Sequence, residues 1–245
     1  MLQTFLKIVF KKTISYSQYL QDVFIDFVFL QRDKNGYFID IGAYDGITIS
    51  NTYFFEKNKK WNGVAIEPNK TIFEKLKTNR TCNLVNGVVS DVDGQVKYMR
   101  VEGAGEMLSG IVNNFADKHK QRIDTSIATF GGNKHVEEVI SYSIKNIIKQ
   151  FKISNITILS IDTEGSELQI LKTFPFETLK PKLILVENNF RSEEFSSFLT
   201  SKGYHFCFRL GDDIFYDQPI TAYIKLKIWL FRFLKKIKRF KQYNG

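Results

Sequence analysis

Carboxylates stand beside glycines or turn residues at four points of the 245-residue chain where apolar runs end: Asp40-Ile-Gly-Ala-Tyr-Asp-Gly46, Glu67, Ser90-Asp91 and Asp162-Thr-Glu-Gly-Ser-Glu167. In an open α/β sheet, ligands bind outside the carboxyl ends of the strands, so these are the places where chemistry is expected. Gly42 and Gly46 allow a tight strand-to-helix turn and close approach of a ligand to the backbone, and Asp40 puts a carboxylate beside the same crevice. That acid argues against a dinucleotide, whose pyrophosphate wants a G-x-G-x-x-G turn and a helix N-terminus without a neighbouring negative charge. It suits instead a ligand with a cationic ammonium, such as the methionine part of S-adenosylmethionine. Glu67 follows Gly46 by 21 residues, where a carboxylate can accept both hydroxyl hydrogens of a ribose. Nicotinamide and S-adenosylmethionine enzymes share that feature. Asp91 is placed to receive an adenine amino group and is equally an ordinary turn residue.

Those positions require a particular scaffold. Tyr37–Ile41, Asn62–Ile66, Leu84–Val89, Ile156–Ile161, Leu183–Val186 and Tyr204–Phe208 read as strands. Ile47–Asn58, Lys70–Asn79, Ser166–Thr173 and Ser192–Ser201 read as helices between them. After the turn pair Asp93-Gly94, Gln95–Val101 extends the sheet as a meander. Strand and helix alternating at this spacing predict an α/β fold: a mostly parallel sheet with helices on both faces. Residues 102–135, Gly-rich and without a clear period, form an insertion over one end of the sheet.

Composition closes several classes. With 43% hydrophobic and 25% charged residues the chain is globular rather than disordered. Cys82 and Cys207 form no CxxC pair and no disulfide framework, so they read as reduced, packed thiols. His119, His135 and His205 lack the spacing of a zinc site. The net charge of +9 is concentrated at one end: eight Lys and Arg follow Asp217, the last acid, which leaves 27 basic against 26 acidic groups in residues 1–217. A nucleic-acid enzyme would spread basic surface over the body, so no nucleic acid is expected. No run of 18 apolar residues occurs and residues 1–12 lack the features of a signal peptide, so the expected location is cytoplasmic. The expected organisation is one domain over residues 1–217 and a basic tail over 218–245.

Asp40-Ile-Gly-Ala-Tyr-Asp-Gly-Ile-Thr-Ile-Ser-Asn-Thr52, Trp61-Asn-Gly-Val-Ala-Ile-Glu-Pro68 and Leu159-Ser-Ile-Asp-Thr-Glu-Gly-Ser-Glu167 resemble the FkbM-type S-adenosylmethionine-dependent methyltransferases. Ser17-Gln-Tyr-Leu-Gln-Asp22 is similar to the family's opening segment. The resemblance covers roughly residues 15–210. It implies a Rossmann-like methyltransferase fold of about seven strands, the last antiparallel, and O-methylation of sugar-like hydroxyls in many members. It carries over Asp40, Gly42, Gly46, Glu67 and Asp91 as cofactor residues, with Ser50 and Asn51 facing the same pocket. Tyr44 stands where many methyltransferases have glycine, and Ser143-Ile-Lys145 lacks a carboxylate that the family often carries.

For the chemistry, Asp162 and Glu164 are expected to project toward the methyl group. A carboxylate there accepts a substrate hydroxyl proton, or two share a divalent metal that acidifies the hydroxyl. Glu164 and Glu167 equally suit a helix N-terminus. Glu187-Asn188-Asn189 is a further polar stretch for the acceptor, and His119 and His135 are alternative bases. The expected function is O-methylation of a glycan, glycolipid or related metabolite, including a lipid-linked sugar. The competing readings are a nicotinamide-dependent oxidoreductase and a non-catalytic membrane-binding module with a degenerate nucleotide fold. Tyr223–Tyr243 carries Leu226, Trp229, Leu230, Phe233, Ile237 and Phe240 on one helical stripe, with Arg232, Lys235, Lys236 and Arg239 mostly across from it. This pattern fits peripheral binding to the anionic inner face of a membrane, and also fits a helix packed on the body with solvated lysines.

Overall fold

The computed structural model describes residues 13–237 and 240–243. The reading of residues 1–12, and the tail positions Lys238 and Arg239, lie outside them. The apolar runs form β2 (Tyr37–Ile41), β3 (Asn62–Glu67), β4 (Asn83–Asn86), β9 (Ile158–Ile161), β10 (Leu183–Val186), β11 (His205–Leu210) and β12 (Asp212–Tyr216). These make one seven-stranded sheet in the order β11-β12-β10-β9-β2-β3-β4. All its strands run parallel except β12, which is antiparallel to β10 and β11. β9 and β10 are buried along their whole length, as parallel strands covered on both faces must be.

Alternation along β2 assigns the two faces. Ile39 and Ile41 join a core with α5 (Ile144–Gln150), α6 (Glu167–Thr173) and α7 (Glu194–Ser201), through Ile147, Leu171 and Leu199. Phe38 points the other way, into a core with α1 (Gln21–Ile25), α2 (Tyr53–Lys59) and α8 (Ala222–Lys236), through Phe24, Phe55 and Phe231. Asp40, two residues on, shares the Phe38 face. Between β3 and β4, α3 (Lys70–Asn79) matches its predicted span. Asn69 caps it by accepting hydrogen bonds from the Thr71 and Ile72 amides.

Five expectations are corrected. The predicted helix 47–58 is only Tyr53–Lys59, because Asp45 accepts from the Ile47 and Thr48 amides at 2.9 and 2.7 Å and Ile49 takes a left-handed φ of 51°. The predicted third strand breaks at Gly87, and β5 (Val88–Ser90) leaves for a second sheet. That sheet, ordered β5-β8-β6-β7, comprises β6 (Gly94–Val101), β7 (Gly110–Ile111) and β8 (Lys134–Ser143) besides β5. So β6 is no meander on the main sheet, and the excursion spans residues 88–143 rather than 102–135. Within it, α4 (Asp117–Phe130) packs Ile123 on Val101 and Phe115.

The fifth correction concerns the tail. It is no single helix, and its first part is packed on the body: α8 ends at Lys236, and Ile224, Phe231 and Leu234 are buried in the body's core. β13 (Phe240–Gln242) then pairs in parallel with β1 (Thr13–Ser15). Cys82 and Cys207 are free thiols.

Candidate active site

The carboxyl ends of β2, β3, β9 and β10, with the segment 106–111 of the second sheet lying across them, enclose a cavity of about 850 Å³. Its floor is the turn after β2. Gly42 has φ 86°, its amide donates to the Ile66 carbonyl at 3.0 Å, and a Cβ there would stand 1.7 Å from the Asp162 carbonyl oxygen. Only glycine lets the two strand ends meet so closely. Gly46 does something else and is corrected: it lies outside the cavity, where a Cβ would strike Leu76 and Arg80 at 2.5 and 2.6 Å. It is a packing glycine, and its carbonyl accepts from Arg80 at 3.1 Å.

Asp40 reaches the cavity, but its charge already has a partner. The buried Arg80 guanidinium lies 3.7 Å away, itself paired with Glu56 at 2.5 Å, and the Thr52 hydroxyl donates to Asp40. Burial pushes the Asp40 carboxyl up, against the pull of Arg80. Asp40 therefore anchors the turn and is a weaker candidate for meeting an ammonium than its position in the sequence suggests. Asn51 is better placed. Its Nδ2 donates to Asp212 at 2.8 Å and Ser160 at 3.3 Å, which fixes the amide, and its buried Oδ1 has no partner among the described residues. Ser50 also lines the cavity, and its hydroxyl accepts from the Thr52 and Tyr53 amides to start α2.

On the β3 side Glu67 is buried in the wall. Its oxygens accept from the Tyr44 amide at 3.0 Å and the Asn69 amide at 2.8 Å, and burial pushes it up to about 7. Tyr44 holds φ 49° and donates its hydroxyl to Glu106 at 2.8 Å, tying the floor to the covering segment. Asp91 is corrected: Gly87 turns the chain into β5, leaving Asp91 exposed and away from the cavity, and Gly87, Val88 and Val89 line that wall.

Opposite stands a carboxyl cluster. Asp162, Glu164 and Glu187 each present an oxygen within 4.8 Å of the others. Burial above all holds Asp162 well above the usual carboxylate range and raises Glu164 to about 8 and Glu187 to about 7; Glu187 and Glu164 repel Asp162, Glu187 repels Glu164 against the pull of Arg122 at 3.3 Å, and Glu167 and Asp212 repel Glu187. His119 sits behind Glu164, Nδ1 at 3.4 Å, with Nε2 on the Leu108 carbonyl at 2.9 Å; burial keeps its ring below the usual histidine range. It is a buried partner of Glu164 rather than a base exposed to the cavity. His135 is exposed on β8, beside Glu102, and away from the cavity. Glu167 braces the loop by accepting from the Thr163 and Gly165 amides. Asn189 donates to Glu187 at 2.7 Å.

Asp212 went unnoticed in the sequence. It is buried at the cavity wall, raised to about 6 by burial, and accepts from Asn51 and from Gln21 at 3.2 Å. The Gly211-Asp212-Asp213 turn before Ile214-Phe215-Tyr216 was its only signal. Gln21 and Asp22 of the opening segment are structural. Asp22 is fully buried and gathers the Ser15 and Ser17 hydroxyls and the Tyr16 amide.

A family model described as the methyltransferase FkbM domain matches residues 40–210. Among solved structures, methyltransferase FkbM from Methylobacillus flagellatus KT is similar at 14% identity and a TM-score of 0.47, over 79% of this chain and 47% of that one. A putative class I S-adenosylmethionine-dependent methyltransferase from Listeria monocytogenes matches at 8% identity and a TM-score of 0.40, over 85% and 62%. A methyltransferase from Pyrococcus furiosus matches at 14% and 0.37, over 89% and 94%. The chain thus spans about half the length of the first of these. No curated protein matches it.

Proposed function

Because the chain belongs to the FkbM methyltransferase family, we propose that it is an S-adenosylmethionine-dependent O-methyltransferase acting on a hydroxyl of a glycan, glycolipid or related sugar-bearing acceptor. The observation that carries this reading is the cluster of Asp162, Glu164 and Glu187, facing across one cavity the Gly42 turn, Asn51 and Glu67.

The cavity fits the cofactor. Glu67 uses one lone pair of each oxygen on a backbone amide and keeps others for two ribose hydroxyls. Asn51 Oδ1 is a buried acceptor in need of a donor, and an ammonium supplies one. Gly42 lets the turn after β2 close against the Asp162 carbonyl, which shapes the floor. The bound cofactor supplies an electrophilic methyl and a good leaving group. The chain's share is alignment, exclusion of water and removal of the acceptor's proton.

A sugar hydroxyl is a poor nucleophile near neutral pH, so its proton needs a destination. Asp162, at the strand end, takes it in its ionised form and becomes neutral, which relieves its repulsion with Glu187 and Glu164. A cluster titrating near 7 to 8 exchanges protons with water at neutral pH, as an acid-base group must. The same three oxygens could hold a divalent cation. Turnover lost to a chelator and restored by magnesium or manganese would assign them to a metal instead.

Calorimetry with S-adenosylmethionine, its demethylated product and NAD tests the cofactor. The first two are expected to bind, and NAD binding alone would overturn the reading in favour of an oxidoreductase. Transfer from ¹³C-methyl-labelled cofactor into a cell extract, read by mass and NMR as a methyl ether, tests the acceptor class. A methylated amine or carboxylate would refute O-methylation of a sugar.

A further inference from the structure

Helix α8 has two apolar faces, and the body uses one. Ile224, Phe231 and Leu234 are buried, with Phe231 against Phe24 and Phe240 at ring distances of 4.9 and 4.8 Å. On the same face Lys227 donates to the Val28 carbonyl at 3.0 Å. A helix that only capped the body would be polar elsewhere. Instead Tyr223, Leu226, Trp229, Phe233 and Ile237 stand 44, 49, 62, 47 and 44% exposed. At 3.6 residues per turn these positions form a second continuous stripe, and the Trp229 and Phe233 rings lie parallel within it, 6.3 Å apart.

Charge says what covers it. Lys225, Arg232 and Lys236, all exposed, run along one side of the stripe, and no acid follows Asp217 anywhere in the sequence. An apolar stripe rich in aromatics, bordered by cations on a helix that carries no acid, is complementary to a bilayer whose headgroups are anionic. The helix has 15 residues, about 22 Å at 1.5 Å per residue, against roughly 30 Å of hydrocarbon. Among the described residues no helix is long and apolar enough to cross a membrane.

We propose that α8 lies flat in the surface of an anionic bilayer, with Leu226, Trp229 and Phe233 among the acyl chains and Lys225, Arg232 and Lys236 on lipid phosphates. The docked helix is tied to the cavity. Beyond it, β13 pairs with β1, and Gln242 donates to the Ser17 and Gln18 carbonyls at 3.2 and 2.7 Å. Gln18 and Tyr19 line the cavity. Docking stands independently of the proposed reaction; that the acceptor is lipid-linked rests on both.

The chain carries its own reporter. Of its two tryptophans, Trp61 is 2% exposed and Trp229 is 62% exposed, so a lipid-induced change in emission reads α8. With vesicles of phosphatidylglycerol and phosphatidylcholine, the full chain is expected to co-sediment and its emission to shift to the blue. Both effects should fade with salt and be absent with phosphatidylcholine alone. Trp229→Glu with Phe233→Glu should lower vesicle affinity at least tenfold. Lys225→Gln, Arg232→Gln and Lys236→Gln should each weaken it roughly fivefold. S-adenosylmethionine affinity, measured on the same variants, should not change, which separates a failure of docking from a failure of the proposed reaction. Unshifted emission with anionic vesicles, or wild-type binding by the double variant, would overturn the proposal. So would a lipid-free dimer that Trp229→Glu converts to monomer, since it assigns the stripe to a second copy.

Discussion

Glu67 is one of two carboxylates in the cavity wall, with Asp40, that the sequence assigned to a ligand, and unlike Asp40 it has no cation paired with it among the described residues. Glu67→Gln is expected to weaken S-adenosylmethionine binding by about an order of magnitude, because charge-assisted hydrogen bonds of roughly 1.5–3 kcal/mol are replaced by neutral ones. Asn51→Ala should weaken it comparably while leaving the Arg80 contacts of Asp40 intact; calorimetry reads both, and unchanged affinity in either folded variant would reject the assignment. The raised carboxyls make pH predictions of definite sign. As bases they act only when ionised, so turnover should climb with pH through about 7 to 8, and Glu187→Gln should displace that limb. Stability should move oppositely. Glu164 holds its proton up to about 8 in the native state and only to about 4.5 when unfolded, so its contribution is full below the lower value and is lost as pH rises through the higher one. Urea titrations between pH 5 and 9 should show Glu164→Gln flattening that decline.

At the scale of elements, the site depends on turns that bring strand ends within atomic contact. Gly42→Ala is expected to destabilise the protein by on the order of 3 kcal/mol, since it adds left-handed strain to a 1.7 Å clash with the Asp162 carbonyl. Chemical denaturation checks this, and a loss under 1 kcal/mol would show that the floor can yield. Legibility varied at this scale for identifiable reasons. Helix α3 was readable to the residue because Pro68 marks its start locally, and the structure adds Asn69 as its cap. The start of α2 was not, because Asp45 captures two amides and competes with the helix. The break at Gly87 was invisible, since an apolar run divided between two sheets has the same period as one strand.

For the whole molecule, the exposed residues of α8 and those that hold it to the body are different sets: Tyr223, Leu226, Trp229, Phe233 and Ile237 stand outward, while Phe240, read on the same stripe, lies in β13 and packs on Phe231. Phe231→Ala should cost about 3–5 kcal/mol of stability, whereas Trp229→Ala should change it by no more than about 0.5 kcal/mol, measured by urea unfolding. The exposed stripe was legible because its period is a property of the helix itself. That Ile224, Phe231 and Leu234 join the core around Phe24 and Phe27 was not, because it depends on partners some 200 residues away along the chain. The same division runs through the molecule. Sequence alone determined the alternation of strands and helices, the ends of the strands where carboxylates gather, and the family, since these rest on local patterns and on short motifs. Tertiary structure decided which carboxylates remain available. Arg80, arriving from the end of α3, pairs with Asp40, while Glu187, from the end of β10, is brought against Asp162 and Glu164 at the end of β9. Whether a carboxylate is a ligand, an anchor or a base depends on the charges folded beside it and on the water folding removes, and neither is written at the residue itself.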